Sequence, residues 1–168
     1  MPCGRLLPLL ANAAVERRGV SPPPNLFGAK STMRVCEDCG ATYSDEDDDC
    51  AARFAALLAL DLSRREPWGS RHGLAFSAYT LQHPRSYARA VLERAWLMLH
   101  AVIINGRNPG DVARALRRAG KVTPDWGGPP LPTEGPRAAF AVTIADLGEF
   151  EETRYPSLLD RWCRATVA

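Results

Sequence analysis

The sequence predicts an all-α fold, a helical bundle of about five helices behind a short cysteine-rich segment. Three observations carry that prediction. From Asp45 onward the sequence pattern turns helical. Caps, prolines and glycines fall where such helices would begin and end. No useful run of period-2 alternation and no internal repeat is present. The chain has 168 residues and 46% hydrophobic composition, enough for one domain with its own core.

Residues 1–32 differ from the rest of the chain. They contain the Pro/Gly/Ser-rich stretch "VSPPPNLFGAKST", which favours turns and extended chain over core elements. We expect a tail here, flexible or dispensable, and a single domain over residues 33–168. The rival expectation is an ordered arm that packs Leu6, Leu7, Leu9 and Leu10 on that domain.

The first helix is expected at about residues 47–64, in "DEDDDCAARFAALLALDLSRR". Its acids would crowd the positive end of the helix dipole, and Arg64 and Arg65 the negative end. The acidic run lacks the alternating oxygens and the glycine of a calcium loop. Pro67-Trp68-Gly69 then breaks the chain, and a second helix is expected at about 69–82, stopped by Pro84.

Ser86 is placed to cap a third helix, "YARAVLERAWLMLHAVIING", apolar on most faces and therefore expected in the middle of the bundle. Asn108 and Pro109 open a fourth, which Gly120 closes. Residues 121–137 hold too much Pro and Gly for a regular element, so they read as a loop wrapping the bundle with Trp126 as its anchor. "TIAD" at 143–146 has the form of a cap before a short helix. Pro156 opens a last helix carrying Leu158, Leu159 and Trp162.

The 21 Lys+Arg and 19 Asp+Glu leave a net charge of +2, which gives no electrostatic support for a nucleic-acid surface. No apolar run approaches the roughly 18–20 residues that span a bilayer. Five cysteines, Cys3 and Cys163 far from the rest, do not make the paired framework of a secreted scaffold. A reducing, cytoplasmic setting is expected. The faint A-x-A near Ala11 and Ala13 sits behind too short an apolar run for a secretory signal.

Chemistry concentrates in "MRVCEDCGATYSDEDDDC", residues 33–50. Cys36-x-x-Cys39-Gly40 has the form of a zinc-knuckle-like turn, with a glycine free to take positive φ and let backbone N–H groups face sulfur. Cys50 comes next, at the start of the first helix, where the dipole favours a thiolate. Three soft ligands suit zinc, and a structural zinc wants a fourth.

The chain offers His72, His83 and His100. If the first two helices form an antiparallel hairpin, the start of one lies beside the end of the other and His83 faces Cys50. His72 stands roughly 16 Å back along the helix at about 1.5 Å per residue, so the two are competitors. His72 reads as a core histidine oriented by Asp61, or as part of a small polar pocket with Tyr79 and Gln82 beside the metal. His100 reads as buried and hydrogen-bonded. A dithiol redox pair at Cys36 and Cys39 is the competing account of the cluster, disfavoured because no strand precedes it.

These motifs resemble a bacterial family of small proteins of unknown function that share C-x-x-C-G-A, a later Cys, and an H-x-L…A-Y-x-x-Q-H-P segment. The resemblance covers roughly residues 34–106 and touches "TIADL" and the Trp-containing last helix. It matches at Cys36, Cys39, Gly40, Cys50, His72, Tyr79, Gln82, His83 and Pro84. It implies a metal site without choosing between His72 and His83, and it implies no activity.

These features allow two classes of function. The first is a non-enzymatic accessory or interaction domain, its metal site Cys36, Cys39, Cys50 and His83 saturated by a structural zinc, its protein or small-molecule partner unspecified. The second is a zinc-dependent enzyme with an open metal position and His72 or Tyr79 as acid or base. A third, zinc release on thiol oxidation, depends on exposure that sequence does not reveal. No H-E-x-x-H, nucleophile elbow or phosphate-binding glycine loop occurs.

Overall fold

A computed structural model describes residues 33–45, 47–120, 129–131 and 139–168. The expected tail at 1–32 and the expected anchor Trp126 lie outside the described residues. Among those described are five α-helices: α1 Cys50–Leu62, α2 Trp68–Gln82, α3 Arg89–Leu99, α4 Pro109–Ala119 and α5 Tyr155–Val167. The fold is an all-α bundle, with one two-stranded antiparallel ribbon among the described residues, β1 Arg34–Val35 with β2 Thr42–Tyr43. No helix among these residues is long and apolar enough to cross a membrane.

Local chemistry explains most helix limits. Asp49 is the N-cap of α1, its carboxylate accepting from the Ala52 N–H at 2.7 Å, which satisfies one of the orphan donors of the first turn. The acids therefore precede α1 and do not fill its first turn, correcting the expected start at 47. Asp48 instead accepts three short hydrogen bonds from the Arg53 guanidinium, at 2.6–3.0 Å. Asn108 caps α4, with Pro109 at its first positions. Thr143 and Asp146 form a reciprocal capping box, but the turn they open, Ile144–Leu147, is a 3₁₀ helix.

The third helix departs furthest from expectation. The chain makes a 3₁₀ turn at Pro84–Ser86, α3 begins at Arg89, and its end widens into a π-helical turn over His100–Ile104. Nor is α3 the middle of the bundle. That place belongs to α2, which packs on α1, α3, α4 and α5 and buries every residue from Ser77 to Gln82. The reason lies in side-chain size: Gly73, Ala75, Ser77 and Ala78 let neighbours approach closely, and a Cβ at Gly73 would stand 3.0 Å from the Met98 methyl. α3 keeps Arg89 and Glu93 outward, paired at 2.9 Å, while its Arg94 guanidinium donates to the Leu116 and Gly120 carbonyls at the end of α4.

A polar network locks α5 to α2. Gln82, 0% exposed, donates to the Val142 carbonyl at 2.9 Å and to the Thr166 hydroxyl at 3.0 Å, and its own carbonyl accepts from the Trp162 indole at 2.9 Å. Gln82 thus faces α5 and not the cysteine cluster. The described part of the expected loop includes Pro129, whose carbonyl accepts from Trp96 Nε1 at 2.8 Å. His100 is half-buried against the Trp96 ring, 5.8 Å between centroids, not fully buried as expected.

Candidate metal centre

Three elements converge at one end of the α1–α2 pair. The ribbon brings Cys36 and Cys39 into a tight turn, with the Cys36 N–H donating to the Ala41 carbonyl and the Gly40 N–H to the Cys36 carbonyl. Gly40 takes φ +80°, and a Cβ there would lie 2.6 Å from the Ala139 Cβ. Both the left-handed backbone and the close approach of the 139–140 segment exclude a side chain. That approach is fastened by the Phe140 N–H, which donates to the Cys39 carbonyl at 3.1 Å.

Cys50 opens α1, and His83 stands just past the last turn of α2. The helices run antiparallel, the arrangement on which the choice of His83 was conditional, so these two residues meet. The ligand atoms of Cys36, Cys39, Cys50 and His83 all lie within 4.8 Å of one another, close enough to hold a metal ion. Cys39 and Cys50 have their sulfurs 3.5 Å apart. Among the described residues no other group of three or more His, Cys, Asp or Glu is so arranged.

The imidazole of His83 is held in place by packing and by one hydrogen bond. Phe54 of α1 stacks on Tyr79 at 3.8 Å, and Tyr79 on the His83 ring at 4.1 Å. Nδ1 lies 2.8 Å from the Tyr79 carbonyl, a pure acceptor, so it carries the proton of the neutral ring. Nε2 is therefore the free lone pair. It is buried without a well-formed hydrogen bond of its own, with the Cys50 sulfur as its polar neighbour, on a residue only 4% exposed. Such a nitrogen is costly to bury unless something binds it, and a metal-ligating imidazole commonly has its other nitrogen on a carbonyl in this way.

The sulfurs show the same need. The hydrogen bond with Cys39 and then burial push the Cys50 thiol up to about 12. Cys50 therefore holds its proton unless a cation is present to favour the thiolate. For His83, burial disfavours the charged ring, while the Cys50 sulfur and the Tyr79 carbonyl raise its pKa above the ordinary value. Three soft sulfurs and one imidazole nitrogen fit zinc by number and type.

Other expected residues fall elsewhere. His72 is bound through Nδ1 to Asp61 at 2.8 Å, near the far end of α1, and is not brought to the cluster. The expected polar pocket of His72, Tyr79 and Gln82 is therefore not assembled: each has different partners. The Cys36–Cys39 turn comes after a two-residue strand, contrary to the expectation that no strand precedes it. It lies between the strands of a ribbon and does not open a helix, unlike a thioredoxin-type dithiol.

Sequence reasoning missed two contributors. The Tyr43 hydroxyl is hydrogen-bonded to Cys50 Sγ at 3.1 Å. Arg85, just after His83, reaches back to the knuckle, binding Asp38 at 2.6 Å and Glu37 at 3.1 Å. Opposite charges were visible in both segments, but their meeting depends on a turn at 84–86 that sequence patterning did not predict.

A model of a family of unknown function, DUF5946, matches residues 34–168, and the chain belongs to that family. Neither the curated proteins nor the solved structures contain a match.

Proposed function

We propose that this member of a family of unknown function is a helical accessory or interaction domain held together by a structural zinc on Cys36, Cys39, Cys50 and His83. The observation that carries the reading is the buried Nε2 of His83, without a well-formed hydrogen bond among three sulfurs, its Nδ1 fixed by the Tyr79 carbonyl. Four protein donors complete a tetrahedron and leave no position for a reacting water. Bound zinc would favour the thiolate forms and link the ribbon, α1 and α2 at one point. A reducing compartment would keep the three thiols available as ligands.

The enzymatic alternative has less support. Its proposed acid or base His72 belongs to the Asp61 pair. Tyr79 is covered on both ring faces, and burial raises its pKa further from neutrality.

Elemental mass spectrometry on chelator-free protein tests the reading. About one zinc per chain is expected in the wild type and in His72→Ala, with loss in His83→Ala. Zinc retained at full stoichiometry in His83→Ala would reject the Cys₃His assignment.

A further inference from the structure

The four donors are not equally sheltered. Cys39 and Cys50 are 0% and 5% exposed, His83 4%, whereas Cys36 is only partly buried. Cys36 lines an open cavity of about 320 Å³, together with Cys50, His83, Tyr43 and Tyr79. That volume admits a small solute to Cys36, whereas Cys39 does not line it and is fully buried. Every sulfur a modified Cys36 would need lies within 4.8 Å.

We propose that Cys36 is an oxidation site through which a hydroperoxide opens the centre. The proposal rests on the zinc reading above. The Cys36 thiolate attacks the terminal peroxide oxygen, the O–O bond breaks, and hydroxide leaves from hydrogen peroxide or alkoxide from an organic hydroperoxide, giving a sulfenic acid at Cys36. The thiolate of Cys39 or Cys50 then attacks that sulfur, an S–S bond forms, and the sulfenic oxygen leaves as hydroxide. Two sulfurs have lost two electrons in all, and the peroxide has taken them. With two of four donors consumed, zinc is released and the ribbon loses its tie to the helices.

The test uses the full chain loaded with zinc and treated with hydrogen peroxide. Zinc release is read with a chromogenic chelator, and thiol state by alkylation after denaturation and peptide mass spectrometry. Zinc is expected to appear in step with a disulfide joining Cys36 to Cys39 or Cys50, and thiol reductant plus zinc should restore binding. Cys163, 0% exposed with burial raising its thiol pKa, should stay reduced as an internal control. Cys36→His, which keeps a donor but removes the sulfur, should slow release at least about tenfold.

Zinc retained under excess peroxide, or a Cys39–Cys50 disulfide with Cys36 still reduced, would overturn the proposal and leave the structural zinc standing. Should Cys36→His fail to load zinc, the wild-type disulfide map decides alone. Failure of the wild type to take up zinc before peroxide is added would overturn both readings.

Discussion

Gly40 and His72 show how single residues carry separate demands. At Gly40 a positive φ coincides with a backbone contact that no side chain could share. Gly40→Ala is therefore expected to destabilise the fold by about 1–3 kcal/mol, measured by denaturant unfolding. His72 is a different case, since its partner Asp61 is buried while the imidazole is half exposed. The hydrogen bond to Asp61 is the main influence on His72 and raises its pKa above 6.5, against the opposing effect of burial.

A raised histidine pKa stabilises the folded state fully below the unfolded value and loses that contribution as pH rises through the folded one. The stability difference between wild type and His72→Gln should thus be largest in mild acid and shrink towards alkaline pH. An NMR titration placing His72 below its ordinary value would contradict this assignment. Solvent screening at the exposed ring keeps the effect modest.

At the scale of elements, the ribbon is the weakest part and the α1–α2 pair the best supported. Two strands of two residues each have no independent stability in water. Their fixed points are the knuckle sulfurs, the Arg34 guanidinium on the Asp45 and Asp48 carbonyls at 2.9 and 2.7 Å, and the Phe140 contact to Cys39. By contrast, α1 and α2 share the aromatic column Phe54–Tyr79–His83 and the tilted contact of Phe54 with Phe76, 6.3 Å between centroids. Metal removal by a chelator should therefore raise amide exchange first in residues 34–43, with α2 and α5 still protected. Uniform loss of protection across all helices would instead make the whole bundle dependent on the metal.

For the molecule as a whole, Gln82 lies one residue from His83 but belongs to a different joint. The segment around residue 82 holds α5 through one face and the cysteine cluster through the next. Gln82→Ala leaves the Trp162 indole N–H without its buried acceptor and opens a cavity, at an expected cost of about 2–4 kcal/mol. Under the proposed zinc reading its metal content should equal that of the wild type, because the candidate centre draws on His83 and not on Gln82. Loss of both stability and metal would show the two joints to be a single cooperative unit, readable by pairing thermal melts with metal analysis.

What the sequence by itself determined is what depends on neighbours along the chain. The limits of α2, α4 and α5 came from Pro84, Asn108–Pro109 and Pro156, and the grouping of Cys36, Cys39 and Cys50 from their spacing. That His83 and not His72 stands beside Cys50 followed from a fixed rise per residue once an antiparallel hairpin was supposed, since only one end of α2 can then face Cys50. Tertiary structure alone decided which helix lies at the centre, since small residues along α2 count only when four partners press on them. It also turned Gln82 towards a carbonyl 60 residues away and an indole 80 residues away, and left Cys36 the most open of the four donors. Those outcomes depend on which surfaces meet, and no local spacing records that.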